Sequence, residues 1–234
     1  MINSLYDKFK SWSKNGSVFI ISDTHFNDSD CKLMDKNWPT ADEQLQKIIK
    51  DVHKNDTFIC LGDVGDIEYI KKIKAYKVLV MGNHDTGRSK YERKVSCQKF
   101  SKDKFSRNEA IEKMKELYPD CIYSVTDGYD FHEPFQYWEV KADNKLFDEV
   151  YEGPLMIGEK ILLSHEPIMG LEWCLNIHGH DHSDSIKDKY HLNLASNVCD
   201  YTPLNLGSYI KLNGLSNIKS LHRITVDKAG NKKK

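Results

Sequence analysis

The 234-residue chain has no run approaching the ~20 consecutive apolar residues that a membrane-spanning helix needs. Its first seventeen residues, MINSLYDKFKSWSKNGS, lack the apolar stretch of a secretory signal. The six cysteines, Cys31, Cys60, Cys97, Cys121, Cys174 and Cys199, are scattered and form no C-x-x-C pair. That spacing argues against a disulfide scaffold or a thiolate zinc site, and Cys60 and Cys174 read as buried thiols within apolar runs. Together these absences read as a cytoplasmic chain with no membrane contact. Charge of one sign is missing too: Lys+Arg is 34 against Asp+Glu 35, so no global field draws the chain to nucleic acid or acidic lipid. With no internal repeat, low-complexity tract or linker, residues 1–234 read as one domain, long enough to bury a full core.

What is present is a rhythm. SVFIIS (17–22) has the β-branched, apolar profile of a buried strand and empties into Asp23-Thr24-His25. In PTADEQLQKIIKDVHK, Thr40 and Glu43 stand at capping-box spacing, with Leu45, Ile48, Ile49 and Val52 on one helical face. DTFICLGD reads as a second strand ending at Asp63, and DIEYIKKIKAY as an amphipathic helix with Ile67, Ile70 and Ile73 inward. KVLVMGNHD reads as a third strand ending at Asn83-His84-Asp85. Such βαβαβ alternation predicts a largely parallel sheet, and sites in such folds form beyond the carboxyl ends of the strands. Each of these strand ends delivers a metal-type ligand.

Residues 87–151 break the rhythm and read as an insertion. A charged stretch leads to a helix, EAIEKMKELYPD, with Ile111, Met114 and Leu117 inward, and then to the aromatic run YDFHEPFQYWEV. Strands resume at EKILLSHEP, ending at His165, and at EWCLNIHGHDH, ending at His180 and His182. YHLNLASNV and SNIKSLHRITVD are read as later strands, and the tail KAGNKKK as a solvated basic end.

The ordered set is therefore D-x-H, G-D-x-x-D, G-N-H-D, a lone histidine after a strand, and G-H-x-H. Carboxylates and imidazoles with one amide suit Mn²⁺, Fe or Zn²⁺ better than the all-oxygen sites of Ca²⁺ or Mg²⁺. One carboxylate bridging two ions ~3.5–4 Å apart is a common arrangement for phosphoryl displacement, with a bridging hydroxide as nucleophile. In their order, SDTHF (22–26), LGDVGD (61–66), MGNHD (81–85), LSHEP (163–167) and HGHDH (178–182) resemble the blocks of the calcineurin-like metallophosphoesterase superfamily, in particular its small bacterial and phage members. The resemblance implies an αββα sandwich, two mixed β-sheets flanked by helices, with two divalent ions at one edge. Manganese is the first expectation for the ions, with Fe, Zn or Ni as alternatives. By that resemblance Asp23, His25 and His182 would hold one ion, Asn83, His165 and His180 the other, and Asp63 would bridge both. His84 would stand over the substrate phosphate and Asp85 would orient His84. His178, not a standard ligand, is a candidate either for supporting the ligands from behind or for phosphate contact, and Arg88 is a candidate for phosphate contact.

The substrate is less legible. Ser/Thr protein phosphatases of the superfamily continue the second block as G-D-x-x-D-R-G and carry Glu after G-N-H. Here Ile67-Glu68 follows Asp66 and Asp85 follows His84, so the arginine that grips a phosphoprotein is missing. No protein partner is implied. Tyr129, Phe131, Phe135, Tyr137 and Trp138 either stack a nucleobase or form the core of the insertion. The expected function is hydrolysis of a small or nucleotide-like phosphodiester. A phosphomonoesterase acting on a small metabolite, or a non-catalytic metal-binding scaffold of the same fold, is the alternative.

Overall fold

The computed structural model describes residues 8–132 and 134–231. The three terminal lysines of the basic tail and the first seven residues of the chain lie outside the described residues. The chain divides into two compact units: one runs up to Tyr91 and resumes at Phe147, and the other is Glu92–Leu146.

The larger unit opens with α1 (Lys8–Trp12), followed by β1 (Val18–Ile21), α2 (Cys31–Met34), α3 (Ala41–Asp51), β2 (Thr57–Cys60), α4 (Glu68–Lys72) and β3 (Tyr76–Val80). The three strands are parallel, Val18 facing Thr57 and Thr57 facing Tyr76. The helix α3 begins where the capping box places it: Thr40 accepts the Glu43 amide, and the Glu43 side chain accepts the Thr40 amide. Leu45, Ile48 and Val52 are buried, with Ile49 partly so. The helix α4 is shorter than expected, but Ile70 and Ile73 are buried while Ile67 is only partly covered. Because the strands follow one another in the order β1-β2-β3, right-handed crossovers put α3 and α4 on the same face of the sheet.

The smaller unit consists of β4 (Val95–Ser101), α5 (Arg107–Leu117), β5 (Ile122–Asp130) and β6 (Phe135–Asp143). Its antiparallel sheet has the order β4-β6-β5. Two of these strands, β4 and β5, are not among those expected from the sequence. A core of its own gathers Phe100, Ala110, Met114, Val140 and Ala142, with Phe105, Tyr123, Val125 and Trp138 packed against it. The helix turns a slightly different face inward from the one the sequence suggests. Ala110 and Met114, one turn apart, are fully buried, whereas Leu117 is 57% exposed.

The larger unit resumes with β7 (Glu149–Tyr151), β8 (Leu155–Gly158), β9 (Ile161–Leu163), β10 (Leu175–His178), β11 (His191–Asn193), β12 (Leu204–Asn205), α6 (Leu206–Asn213) and α7 (Leu221–Asn231). One mixed sheet has the order β12-β1-β2-β3-β7 and a second the order β11-β10-β9-β8. Alternate residues Val18, Ile20, Ile59, Val78 and Val80 of the first sheet share one apolar core with Ile157, Ile161, Leu163, Leu175 and Ile177 of the second. Each fully buried aliphatic side chain contributes roughly 1.5–3 kcal/mol. This is the expected two-sheet α/β sandwich flanked by helices.

One expected strand is absent. Ile224, Thr225 and Val226 give SNIKSLHRITVD a β-branched look, yet α7 covers Leu221–Asn231 with no buried residue. Strand preference expresses packing on a half-buried pleated surface, which this segment does not have. Local bonds win instead: the Ile224 amide donates to the Ser220 carbonyl, Thr225 Oγ1 to the Leu221 carbonyl, and Arg223 pairs with Asp227 one turn on. Among the described residues no helix is long and apolar enough to cross a membrane.

Candidate metal centre

The parallel strands of both sheets end at one edge, and the backbone turns there sharply. Asp23, His25, Asp63 and His180 all adopt positive φ, at 54°, 40°, 52° and 63°. For residues with a Cβ the left-handed region costs on the order of 1 kcal/mol each, a strain that collects at functional sites. A lattice of backbone bonds holds the turns: Asp23 N to Gly62 O, His25 N to Asp63 O, Ser22 N to Leu194 O and Gly179 N to His165 O, all 2.8–3.0 Å. The glycines of the motifs permit this closeness. A Cβ on Gly179 would sit 2.1 Å from Asp23 Oδ2, and one on Gly82 would sit 2.3 Å from Asp63 Oδ1.

Three groups of ligand atoms, each drawn within 4.8 Å, lie among the described residues: Asp23 with His25 and His182, Asp63 with His165 and His180, and, behind the first, His25 with Asp28 and Cys31. The first two converge at the strand ends, and Asp63 stands between them. Its Oδ2 lies 3.4 Å from His165 Nε2, 3.8 Å from His25 Nε2 and 4.0 Å from His84 Nε2. Asn83 joins the second group, its Oδ1 2.8 Å from His165 Nε2. Asp23 links the two, because its Oδ2 accepts the His180 amide at 2.9 Å while its Oδ1 lies 3.7 Å from His182 Nε2.

Hydrogen bonds on the outer nitrogens assign the tautomers. His25 Nδ1 lies 3.0 Å from Asp28 Oδ2, His165 Nδ1 2.7 Å from the Leu61 carbonyl, and His182 Nδ1 2.8 Å from Asn197 Oδ1. Each partner is an acceptor, so each Nδ1 carries a proton and each ring turns its Nε2 inward. His165 Nε2 then faces two oxygen acceptors, Asn83 Oδ1 and Asp63 Oδ2, and, at 3.2 Å, His180 Nδ1. A metal ion, or a proton on His165 Nε2, reconciles such a gathering. Asp23 Oδ1 makes the same demand: it is buried and has no hydrogen-bond partner among the described residues. Ligands ~2.0–2.2 Å from one ion stand roughly 3–3.5 Å apart, close to the spacings here. The residues therefore fit divalent ions.

The family follows from the whole pattern. The model of the calcineurin-like phosphoesterase family matches residues 16–195. The chain belongs to that family. No curated protein matches it. Among solved structures it is similar to a protein of unknown function from Aquifex aeolicus, at 21% identity and a TM-score of 0.47, over 84% of this chain and 98% of that one. Family and ligand groups together support metal-dependent phosphoester chemistry.

The electrostatics of this phosphoesterase site agree. Burial works against an imidazolium at His165, but the Asp63 hydrogen bond and the Asp23 and Asp63 charges outweigh it and raise the ring to about 9. Burial likewise opposes ionisation of Asp63, yet bonds from His165 and from the His84 amide hold its carboxyl below the usual range. Both shifts express one fact: the centre calls for positive charge.

The other expected residues occupy several settings. The His84 side chain is 66% exposed beside Asp63, and its ring centroid lies 5.6 Å from that of His25. Asp85, expected to orient the His84 ring, makes hydrogen bonds to the backbone. Its carboxylate accepts the amides of Asp63, Val64 and Gly82 at 2.9–3.2 Å, so it clamps the turns after β2 and β3. His178 is fully buried in β10 with Nδ1 on the Gly179 carbonyl, which leaves it no face for a phosphate, and burial lowers its pKa. Arg88 is exposed in a short 3-10 helix, Arg88–Lys90. Asp66 accepts the Glu68 amide and the Asn27 side chain. Asp28 and Asn197, which grip two of the ligand imidazoles, carried no signal in the sequence.

Proposed function

We propose that the protein hydrolyses a phosphodiester on a small or nucleotide-like substrate in the cytoplasm, using two divalent ions with manganese first among them. One observation carries the reading: a single carboxylate, Asp63, stands between two converging groups of imidazole nitrogens, with an exposed histidine beside it. Asp23, His25 and His182 would hold one ion, Asn83, His165 and His180 the other, and Asp63 both. Bound there, the ions would supply Lewis acidity toward phosphoryl oxygens and would make water acidic enough to act as a nucleophile near neutral pH.

The chain's own residues do the rest. His84 faces solvent where a phosphate would dock, so its ring is free to stabilise phosphoryl charge or to give a proton to the leaving oxygen. Asp85 keeps Asp63 and Gly82 in register through the backbone, so that the bridging carboxylate and the Asn83 turn move as one. The buried packing of His25 and His165 limits their rotation and keeps water from competing for Nε2. Six cysteines, none of them paired, support residence in a reducing compartment. For the nucleotide lean, Trp138 is removed from the candidate stacking residues, since it packs on the core of the smaller unit with Nε1 on the Phe105 carbonyl. Tyr129 and Phe131 stay exposed, at 46% and 85%.

The test is hydrolysis of bis(p-nitrophenyl) phosphate and of p-nitrophenyl phosphate by chelator-stripped protein, with and without added Mn²⁺. Turnover that depends on Mn²⁺ and favours the diester supports the proposal. Preference for the monoester replaces it with a phosphomonoesterase, and two bound ions with no turnover on either ester argues for the scaffold.

A further inference from the structure

Resting on the metal-centre reading above, we infer that Asp28 and Asn197 are positioning residues dedicated to the Asp23–His25–His182 ion, and that their unlike charges make its two imidazoles unequal donors. Neither residue belongs to a ligand motif. Asp28 lies on the turn just after His25, whose carbonyl accepts its amide, and its Oδ2 takes the His25 Nδ1 proton at 3.0 Å. Asn197 lies beyond β11 and holds His182 twice. Its Nδ2 donates to the His182 carbonyl and its Oδ1 accepts from His182 Nδ1, both at 2.8 Å. The double contact fixes which way the Asn197 amide points, and with it the tautomer of His182. Trp38 completes the fixation, its ring centroid 6.0 Å from that of His25 and 5.8 Å from that of His182. The rings are thus locked with His182 Nε2 3.7 Å from Asp23 Oδ1 and His25 Nε2 3.8 Å from Asp63 Oδ2.

The partners differ in charge, and that difference is the functional content. A carboxylate on Nδ1 pushes electron density through the ring and strengthens Nε2 as a donor, while a neutral amide orients the ring without that push. His25 is therefore the stronger of the two ligands, and the ion it holds depends on Asp28 for charge and on Asn197 for geometry. His165, in the other group, leans on a backbone carbonyl that no substitution removes.

The experiment is Mn²⁺ titration of the chelator-stripped full chain, reading affinity and stoichiometry by electron paramagnetic resonance, with Asp28→Ala, Asp28→Asn, Asn197→Ala and Asn197→Asp alongside thermal melts. Asp28→Ala and Asn197→Ala should each weaken one of the two ions by about 10–100-fold and leave the other within twofold. Asp28→Asn keeps an acceptor without the charge and should fall between wild type and Asp28→Ala. Asn197→Asp supplies a charge where none stood and should bind at least as tightly as wild type. A purely structural role would lower melting temperatures without sorting the variants by charge. Wild type binding two ions while both alanine variants match it would overturn the positioning role. Wild type binding no ion at millimolar Mn²⁺ would instead overturn the metal centre on which the inference rests.

Discussion

The two ligand groups are built differently although they share Asp63. Around Asp23, the ligands His25 and His182 are gripped from outside by side chains, Asp28 and Asn197, and two of the three ligands are buried. Around His165, the outer grip is the Leu61 carbonyl, and both Asn83 and His180 are exposed. The first group is a socket closed by neighbouring loops, and the second is a rim that opens to solvent. On the proposed reading, an ion in the first group would be held tightly and one in the second would exchange faster. The difference also sets the loop work of Asp85, which braces the rim, apart from the ring work of Asp28 and Asn197.

The comparison collapses most completely at its shared member. Asp63→Asn should weaken both ions together and lower turnover by about 10³–10⁴-fold, as expected when several kcal/mol of charge stabilisation is lost. Elemental analysis after dialysis checks the first effect and diester hydrolysis the second. Two ions retained in that variant would remove the bridging role. His84→Ala belongs to neither group, so it should lower kcat by about 10²–10⁴-fold while ion content stays at the wild-type level. Asp85→Ala probes the rim: three backbone amides lose their acceptor, at a cost of about 3 kcal/mol and a fall of roughly 6–10 °C in Tm. Calorimetry on the stripped chain isolates that loss from any loss of metal.

The smallest effect sharpens the contrast by leaving both groups alone. Glu149 accepts from Lys8, Trp12, Tyr76 and Tyr151. Burial opposes its ionisation, but those bonds prevail and bring its pKa from 4.5 to about 2. A lowered folded-state pKa means the stabilisation is complete above about 4.5 and is lost as pH falls from there toward about 2. Glu149→Gln should therefore cost about 2 kcal/mol at neutral pH and flatten the stability profile in that acid window. Denaturant melts between pH 2 and 7 read this directly, with ion affinity unchanged.

The sequence discloses those parts of the molecule where chemistry and local pattern coincide. Asp23, Asp63, Asn83, His165 and His180 each follow a short apolar run, and the edge they share is a consequence of parallel strands ending together. The capping box at Thr40 and Glu43 was legible for the same reason, being a local signal with a local structure. Asp28 was hidden in a polar Asn-Asp-Ser-Asp stretch that reads as any loop, and Asn197 reaches His182 only because β11 runs beside β10. The contacts of Asp85 are not legible because adjacency to His84 in sequence says nothing about which amides a carboxylate faces. In α7 the β-branched residues pointed to a strand, and the outcome turned on burial that the segment never receives.

The most direct measurement is the number of ions bound per chain at saturation, taken together with Mn²⁺-dependent hydrolysis of bis(p-nitrophenyl) phosphate on the same sample. The account predicts two ions per chain, the second lost first to a weak chelator, and turnover that rises with occupancy of both. A single ion per chain at full activity, or hydrolysis that persists after complete stripping, would contradict it.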